Sequence, residues 1–254
     1  RLMKKLTFIS LIPTVFITLL FLFSGCKKDA TIGFVQINFD HNVGGQDLAF
    51  NDTWYTCAAG HKFAVTRLKY YVSNFTLHES GGNDFTTNIV HYRDLEYPET
   101  ASLLLSDVPN GEYTSLSFII GLDAATNVDG GLPNTTTNIN MEWPIPGDQG
   151  YHYMKFEGRY DSLGTGVIKN YNLHFGASGG NQNFVEITLP LNSLKMNGDG
   201  WNINLNMDLN EWLQNPNTYD FEEFGSMIMA NQDAQQTLKE NGATVFSVTS
   251  VERQ

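Results

Sequence analysis

The sequence predicts an all-β protein: a single antiparallel β-sandwich domain with long loops and one or two short helices. The first observation is a period of two in hydrophobicity, clearest in residues 201–209, where apolar residues alternate with Asn202, Asn204, Asn206 and Asp208. The second is the regular occurrence of glycine- and asparagine-rich, turn-forming segments between such runs. The third is an apolar fraction of 41% over 254 residues, which is enough for a large packed core. Because no proline- or serine-rich linker interrupts residues 31–254, we predict one domain there.

The predicted strands follow one another along the whole domain. They cover residues 34–39, 67–77, 88–95, 102–105, 113–122, 151–160, 167–175, 185–191 and 201–209. Turn signals separate them at residues 44–45, 81–83, 109–111, 129–131, 179–180 and 197–200. Many short strands with such punctuation are typical of a β-sandwich or barrel.

Two segments are predicted to be helical. Residues 232–241 follow Asn231, a candidate N-cap, and precede Gly242, a candidate C′ residue. Residues 209–214 are predicted to form a single turn. The segment 127–150 is instead a long loop, and long structured loops in compact domains are often functional.

The N-terminus predicts a secretory signal rather than part of the fold. Lys4 and Lys5 precede a nearly uncharged apolar run over residues 6–23, and Ser24-Gly25-Cys26 follows. Small residues directly before a cysteine resemble the lipobox of bacterial lipoproteins. We therefore expect residues 1–25 to be a signal peptide, Cys26 to be lipidated, and residues 26–30 to form a tether to the membrane in the periplasm or at the outer membrane. The alternative is an uncleaved transmembrane helix.

Charge and motif content exclude several functions. The chain has 15 basic and 27 acidic residues, a net charge of −12, whereas a nucleic-acid-binding protein needs a basic face. Its 2 cysteines cannot form a disulfide scaffold, and we assign Cys57 no role. The sequence contains no Gly-x-Ser-x-Gly elbow, phosphate loop, dinucleotide fingerprint or His-Glu-x-x-His motif. We therefore predict that the protein is not an enzyme.

Histidines on predicted strands are the first candidate metal ligands. His41 shares the parity of the core-facing residues of its strand, and His152 shares that of Met154 and Phe156, whereas His174 lies opposite the apolar residues of its strand. Neutral imidazole is a common ligand for copper and zinc, although a single histidine on a strand is more often structural. Spacing along the sequence does not establish that any of these side chains converge.

Loop oxygens give a second, weaker metal candidate. Asp123, Asn127 and Asp129 have the oxygen chemistry that calcium prefers. Their spacing matches no EF-hand loop, and aspartate, asparagine and glycine are also ordinary turn formers.

The order of several short motifs carries a family resemblance that runs through nearly the whole domain. The motifs are 37-INFDHNVGG-45, 65-VTRLKYYVSN-74, 108-VPNGEY-113, 118-FIIGLD-123, 141-MEW-143, 150-GYHYMKFEG-158 and 171-YNLHFG-176. In this order they resemble the MbnP-like family, relatives of the methanobactin-associated periplasmic copper-binding protein.

The resemblance implies a β-rich copper-binding protein of the bacterial cell envelope. In the methanotroph members of the family, a tryptophan is oxidised to kynurenine by a dihaem cytochrome c peroxidase-like partner, and histidines beside it hold copper. Carried over to this chain, the resemblance implies Trp143 as the modified residue and His41 and His174 as ligands, with His152 a weaker match. The sequence departs from the pattern after Trp143, where Pro144-Ile145-Pro146 replaces a second aromatic residue.

A different class of function remains open at this point. Trp54, Tyr55 and Trp212 stand in polar contexts and suggest a surface lipoprotein module that binds glycans or a protein partner without a metal. Aromatic residues in such positions also serve as core or loop anchors, which is the structural alternative.

Overall fold

A computed structural model of the chain describes residues 32–145 and 150–254. The expected signal peptide, Cys26 and the tether lie outside the described residues. Within those residues, no helix is long and apolar enough to cross a membrane.

The described residues form a mostly β structure with few short helices, as predicted. The strands are β1 Ile32–Val43, β2 Gln46–Asp47, β3 Tyr55–Thr56, β4 Lys62–Glu79, β5 Phe85–Thr86, β6 Val90–Asp94, β7 Ser102–Pro109, β8 Gly111–Ile120, β9 His152–Asp161, β10 Ile168–Gly176, β11 Val185–Met196, β12 Gly200–Asp208 and β13 Phe246–Arg253. The α-helices are α1 Thr136–Ile139, α2 Phe221–Phe224 and α3 Gln232–Gly242. Short 3₁₀ turns cover Pro98–Thr100, Ser162–Gly164 and Glu211–Leu213, the last within the predicted turn over residues 209–214.

The strands of the described ranges pair into two sheets. The smaller, 5-stranded sheet has the order β13-β12-β1-β2, with β7 also paired to β1. The larger, 8-stranded sheet has the order β10-β9-β4-β8-β11, and β3, β5 and β6 also pair with the long strand β4. The core lies between the sheets, where the ring of Phe246 on β13 contacts Tyr70 on β4 and Phe118 on β8.

One pairing departs from the predicted antiparallel sandwich. β1 and β12 run parallel, from Phe34 opposite Gly200 to Asn42 opposite Asp208. Period-two alternation establishes which face of a strand is buried but not the direction of its neighbour. These strands come from opposite ends of the domain, so no hairpin forces them to be antiparallel.

Helix α3 confirms its predicted N-cap and corrects its predicted end. The Asn231 side chain accepts a hydrogen bond from the backbone N–H of Ala234. Gly242 is not a C′ residue but the last helical residue, with Ala243 as the C-cap. A Cβ atom on Gly242 would lie 2.7 Å from Val185 and 2.9 Å from Trp212, so close packing requires this glycine.

Two of the three aromatics that suggested a glycan surface belong to the core. Trp212 is 0% exposed and Tyr55 is 3% exposed, whereas Trp54 is 38% exposed beside the guanidinium of Arg159. These buried rings therefore cannot form an exposed platform. Cys57 is also buried, and burial raises the pKa of its thiol.

Candidate metal centre

The pairing of β9 with β10 determines which side chains face away from the core at one end of the larger sheet. Tyr171, Leu173 and Phe175 are buried in the core, where Tyr171 stacks on Phe221 of α2 and Phe175 lies edge-on to Trp212. His174 lies between them in sequence and faces the opposite, outer side, as the alternation predicts. There its Nε2 lies 2.8 Å from Oε1 of Glu157 on β9.

An irregularity in β9 brings a second histidine to the same face. Phe175 pairs with Met154, but the next residue of β10, Gly176, pairs with His152, so Tyr153 is an extra residue in β9. Such a β-bulge reverses the facing of the residues that follow it. Strand parity predicted that His152 shares the core face with Met154, and the bulge shows that this prediction is wrong. Its ring lies edge-on to that of His174, with centroids 4.9 Å apart.

Trp143 packs against the His152 imidazole. Residues 141–143 return beside the start of β9. There the backbone N–H of Trp143 donates to the carbonyl of Gly150, and the backbone N–H of His152 donates to that of Met141. The indole lies 4.8 Å from the His152 ring, centroid to centroid. It packs directly on Gly176, where a Cβ atom would come within 2.5 Å of the indole ring. Trp143 is 7% exposed and His152 is 2% exposed, so the indole helps to shield the imidazole from solvent.

The hydrogen bonds of the cluster leave nitrogen lone pairs available. His152 Nδ1 lies 2.9 Å from the Met141 carbonyl oxygen, an acceptor, so the proton resides on Nδ1. His152 Nε2 is then buried with a free lone pair and has no hydrogen-bond partner among the described residues. The indole N–H of Trp143 is a buried donor that likewise has no partner among those residues. His174 donates from Nε2 to the Glu157 carboxylate, which leaves its lone pair on Nδ1.

Burial and neighbouring charges set the protonation states of His152 and Glu157. Burial, with the Lys155 ammonium as a further cause, lowers the pKa of His152 from 6.5 to about 3. Burial alone would raise the pKa of Glu157, but the hydrogen bond from His174 and the charge of Arg67 lower it overall. The Arg67 guanidinium donates to the other Glu157 oxygen at 2.7 Å. His152 is therefore neutral, and Glu157 ionised, at neutral pH.

The third candidate histidine lies elsewhere. His41 faces the interior between the sheets, and its Nε2 lies 2.9 Å from the hydroxyl of Tyr70, a residue of β4 that is 0% exposed. Since His174 faces the outer side of the larger sheet, the structure does not bring His41 and His174 together. It brings together His152, His174 and Trp143 instead.

The three candidate calcium ligands are engaged in shaping the long loop. Asp123 accepts hydrogen bonds from the side chain of Asn74 and the N–H of Thr126. Asn127 Oδ1 accepts from the N–H of Tyr151, and Asp129 Oδ1 from that of Gly150. Asn127 and Asp129 therefore hold the loop against the residues just before β9, and Asp123 caps the turn that leads into the loop.

Sequence reasoning missed the residues that support the cluster. Glu157 and Gly176 both fall within the motifs quoted above, but nothing in their spacing showed that one orients His174 and the other admits the indole. Across residues 32–145 and 150–254, no group of three or more histidine, cysteine, aspartate or glutamate side chains is arranged to hold a metal ion. A metal at this cluster would need a donor of another type.

The fold and the cluster together define a class of protein: a β-sandwich with a histidine pair on an outer sheet face and a tryptophan packed against one of the two imidazoles. A model of the MbnP family matches residues 33–230, and the chain belongs to this family. Among solved structures, MbnP from Methylosinus trichosporium is similar, with 13% identity, coverage of 87% of this chain and 98% of that chain, and a TM-score of 0.54. At this identity the likeness concerns the fold alone. No curated protein sequence matches the chain.

Proposed function

We propose that the protein binds copper at His152 and His174, beneath Trp143, and that it handles copper in the cell envelope without a catalytic reaction of its own. The observation that carries this proposal is the bulge at Tyr153, which sets two imidazoles edge-on on one sheet face with centroids 4.9 Å apart. Bulges near functional sites commonly re-aim a side chain. Membership of the MbnP family supports copper as the metal.

The donor chemistry fits copper. Two neutral imidazoles suit both Cu(I) and Cu(II), and His152 Nε2 is a buried lone pair without a partner among the described residues. Copper bound there would be the ion that the protein stores or passes on. Glu157 would orient His174 through its other ring nitrogen, as carboxylates commonly do for ligating histidines.

Trp143 is the residue that we propose to be oxidised. Unmodified indole is a hydrogen-bond donor only, so it cannot complete the site by itself. Two equivalents of peroxide, used by a peroxidase-like partner, would cleave the C2–C3 bond of the indole to N-formylkynurenine with release of two waters. Hydrolysis would then remove the formyl carbon as formate and leave kynurenine, whose aromatic amine and ketone both carry lone pairs next to His152. Its small exposure would limit the reaction to an enzyme that docks over this face, and a dihaem cytochrome c peroxidase-like protein is the proposed partner.

The proposed location is the bacterial envelope, with the domain anchored through lipid on Cys26. The supporting observation is the sequence pattern of residues 3–26, a basic start, an apolar run and small residues before the cysteine. Several acyl chains on one residue give lasting attachment. Radiolabelled fatty acid incorporated in cells expressing the full chain, and lost in Cys26→Ala, tests this point.

The direct test of the function uses protein purified from its native host. We expect bound copper by elemental analysis. In the peptide that contains Trp143, we expect the mass change that corresponds to gain of one oxygen and loss of one carbon. Trp143→Phe is expected to lose both the mass change and most of the copper. Native protein with no copper and an unmodified Trp143 peptide would refute the proposal.

A further inference from the structure

A row of side chains crosses three strands of the larger sheet on its outer face. His174 on β10 pairs with Lys155 on β9, and Lys155 pairs with Lys69 on β4. Residues directly opposite one another in antiparallel strands place their side chains on the same face, with Cβ atoms about 5 Å apart. Met154 and Phe156 flank Lys155 in sequence and are buried, so Lys155 faces outward together with His174. The Lys155 side chain therefore begins beside one of the two proposed copper ligands.

The end of the Lys155 side chain lies near the other ligand. Its ammonium Nζ donates to the carbonyl oxygen of Asn140 at 2.7 Å. The next carbonyl along the chain, that of Met141, accepts from Nδ1 of His152 at 2.9 Å. Consecutive carbonyl groups thus hold the ammonium and the His152 ring. A positive charge therefore lies close to both imidazoles.

No carboxylate pairs with this charge, in contrast to the charges of its cationic neighbours. On β4, the Arg67 guanidinium lies 2.7 Å from Glu157, and the Lys69 ammonium lies 3.2 Å from Asp94. Within the part of the chain that the structure describes, the Lys155 ammonium forms no ion pair and contacts a neutral carbonyl oxygen instead. Lys155 is also half-buried, so solvent ions screen its charge less than they screen the charge of an exposed lysine.

We propose that the Lys155 ammonium makes the copper site selective for Cu(I) over Cu(II). This inference rests on the proposed function of the same centre. A fixed positive charge repels a cation bound at His152 and His174, and the repulsion is proportional to the charge of that cation. The repulsion is therefore about twice as large for Cu(II) as for Cu(I). Because two neutral imidazoles suit both ions, the discrimination comes from Lys155 and not from the ligands themselves.

The test compares Lys155→Gln with Lys155→Arg. Glutamine keeps an N–H donor for the Asn140 carbonyl but removes the charge, whereas arginine keeps both. The matched control is Lys195→Gln, which removes an exposed charge from β11, the strand at the opposite edge of the same sheet. β11 lies three strand spacings from β9, about 14 Å, which exceeds the screening length of about 8–10 Å.

Two affinities are measured for each full-length protein, purified from its native host with Trp143 in the state found there and stripped of copper. Cu(I) affinity, under reducing conditions, and Cu(II) affinity are each determined by competition with a chelator specific for that ion, and circular dichroism checks folding. In Lys155→Gln, the ratio of Cu(II) affinity to Cu(I) affinity should rise about threefold or more. The ratio should remain that of the unaltered protein in Lys155→Arg and in Lys195→Gln.

The outcomes separate this inference from the function on which it rests. Copper bound by all the proteins, with the same affinity ratio in Lys155→Gln as in the unaltered protein, would overturn the role of Lys155 and leave the histidine site intact. An equal rise of the ratio in Lys155→Arg or in Lys195→Gln would also overturn it, since the charge beside the site would then not be the cause. Unaltered protein that binds neither ion would remove the proposed function, and the selectivity with it.

Discussion

His152 and His174 stand edge-on to one another on the outer face of the larger sheet, with ring centroids 4.9 Å apart. They are neighbours because Tyr153 is an extra residue in β9, so that Gly176 of β10 pairs with His152. A regular ladder would place His152 on the core face instead. The proposed copper site therefore depends on one backbone irregularity as much as on the two imidazoles.

Replacing Gly176 with alanine tests the close packing of the Trp143 indole on Gly176. The added methyl carbon would lie 2.5 Å from the Trp143 ring, so the ring must shift. We expect Gly176→Ala to lower the free energy of unfolding in urea by about 1–3 kcal/mol, the usual cost of overpacking. In a Trp143→Ala background the same change should cost much less. An equal cost in both backgrounds would contradict the contact.

Glu157 is expected to act through His174 and not as a ligand. Glu157→Gln weakens the acceptor that orients His174 and pairs with Arg67, so copper affinity should fall about 10–100-fold. The matched control is Glu222→Gln, which removes an α2 carboxylate paired with Lys169, a residue of the strand that carries His174. Chelator competition measures both affinities. Equal affinities in the two variants would show that Glu157 does not position the site.

His41 should make folding stability depend on pH. Burial, with the charge of Arg93 as the second cause, lowers the pKa of His41 from 6.5 to about 3 in the folded protein. The unfolded chain therefore binds the additional proton below about pH 6.5, and stability falls as pH decreases from there towards 3. The slope from this one group is at most about 1.4 kcal/mol per pH unit.

His41→Gln keeps a polar partner for Tyr70 but does not titrate. Urea unfolding at several values between about pH 4.5 and 7 should therefore show a shallower loss of stability in the variant than in the unaltered protein. Parallel curves would mean that the pKa of His41 is the same in the folded and unfolded states, which would contradict the effect of burial.

The long loop is expected to depend on Asn127 and not on calcium. Asn127→Ala leaves the buried N–H of Tyr151 without its acceptor, and this should cost about 1–3 kcal/mol of unfolding free energy. Asn134→Ala, at an exposed position of the same loop, should cost little. Calcium should leave the Tm of the unaltered protein unchanged. A rise in Tm with calcium, lost in Asp129→Asn, would contradict this account.

Local patterns predict much of this fold because each depends on few residues. Alternation placed His174 on the outer face and His41 towards the interior, and Asn231 marked the start of α3. The bulge at Tyr153 was beyond such reasoning, since it is defined by the register against β10 and not by any residue of β9. For the same reason parity misplaced His152, and the resemblance did not show that His41 and His174 lie on different faces.

Copper stoichiometry in three single variants tests the central proposal most directly. Full-length His152→Ala, His174→Ala and His41→Ala, each purified from the native host with folding checked by circular dichroism, are compared with the unaltered protein by elemental analysis. We expect copper to be lost in the first two and retained in His41→Ala. Copper retained in His152→Ala and lost in His41→Ala would contradict the account.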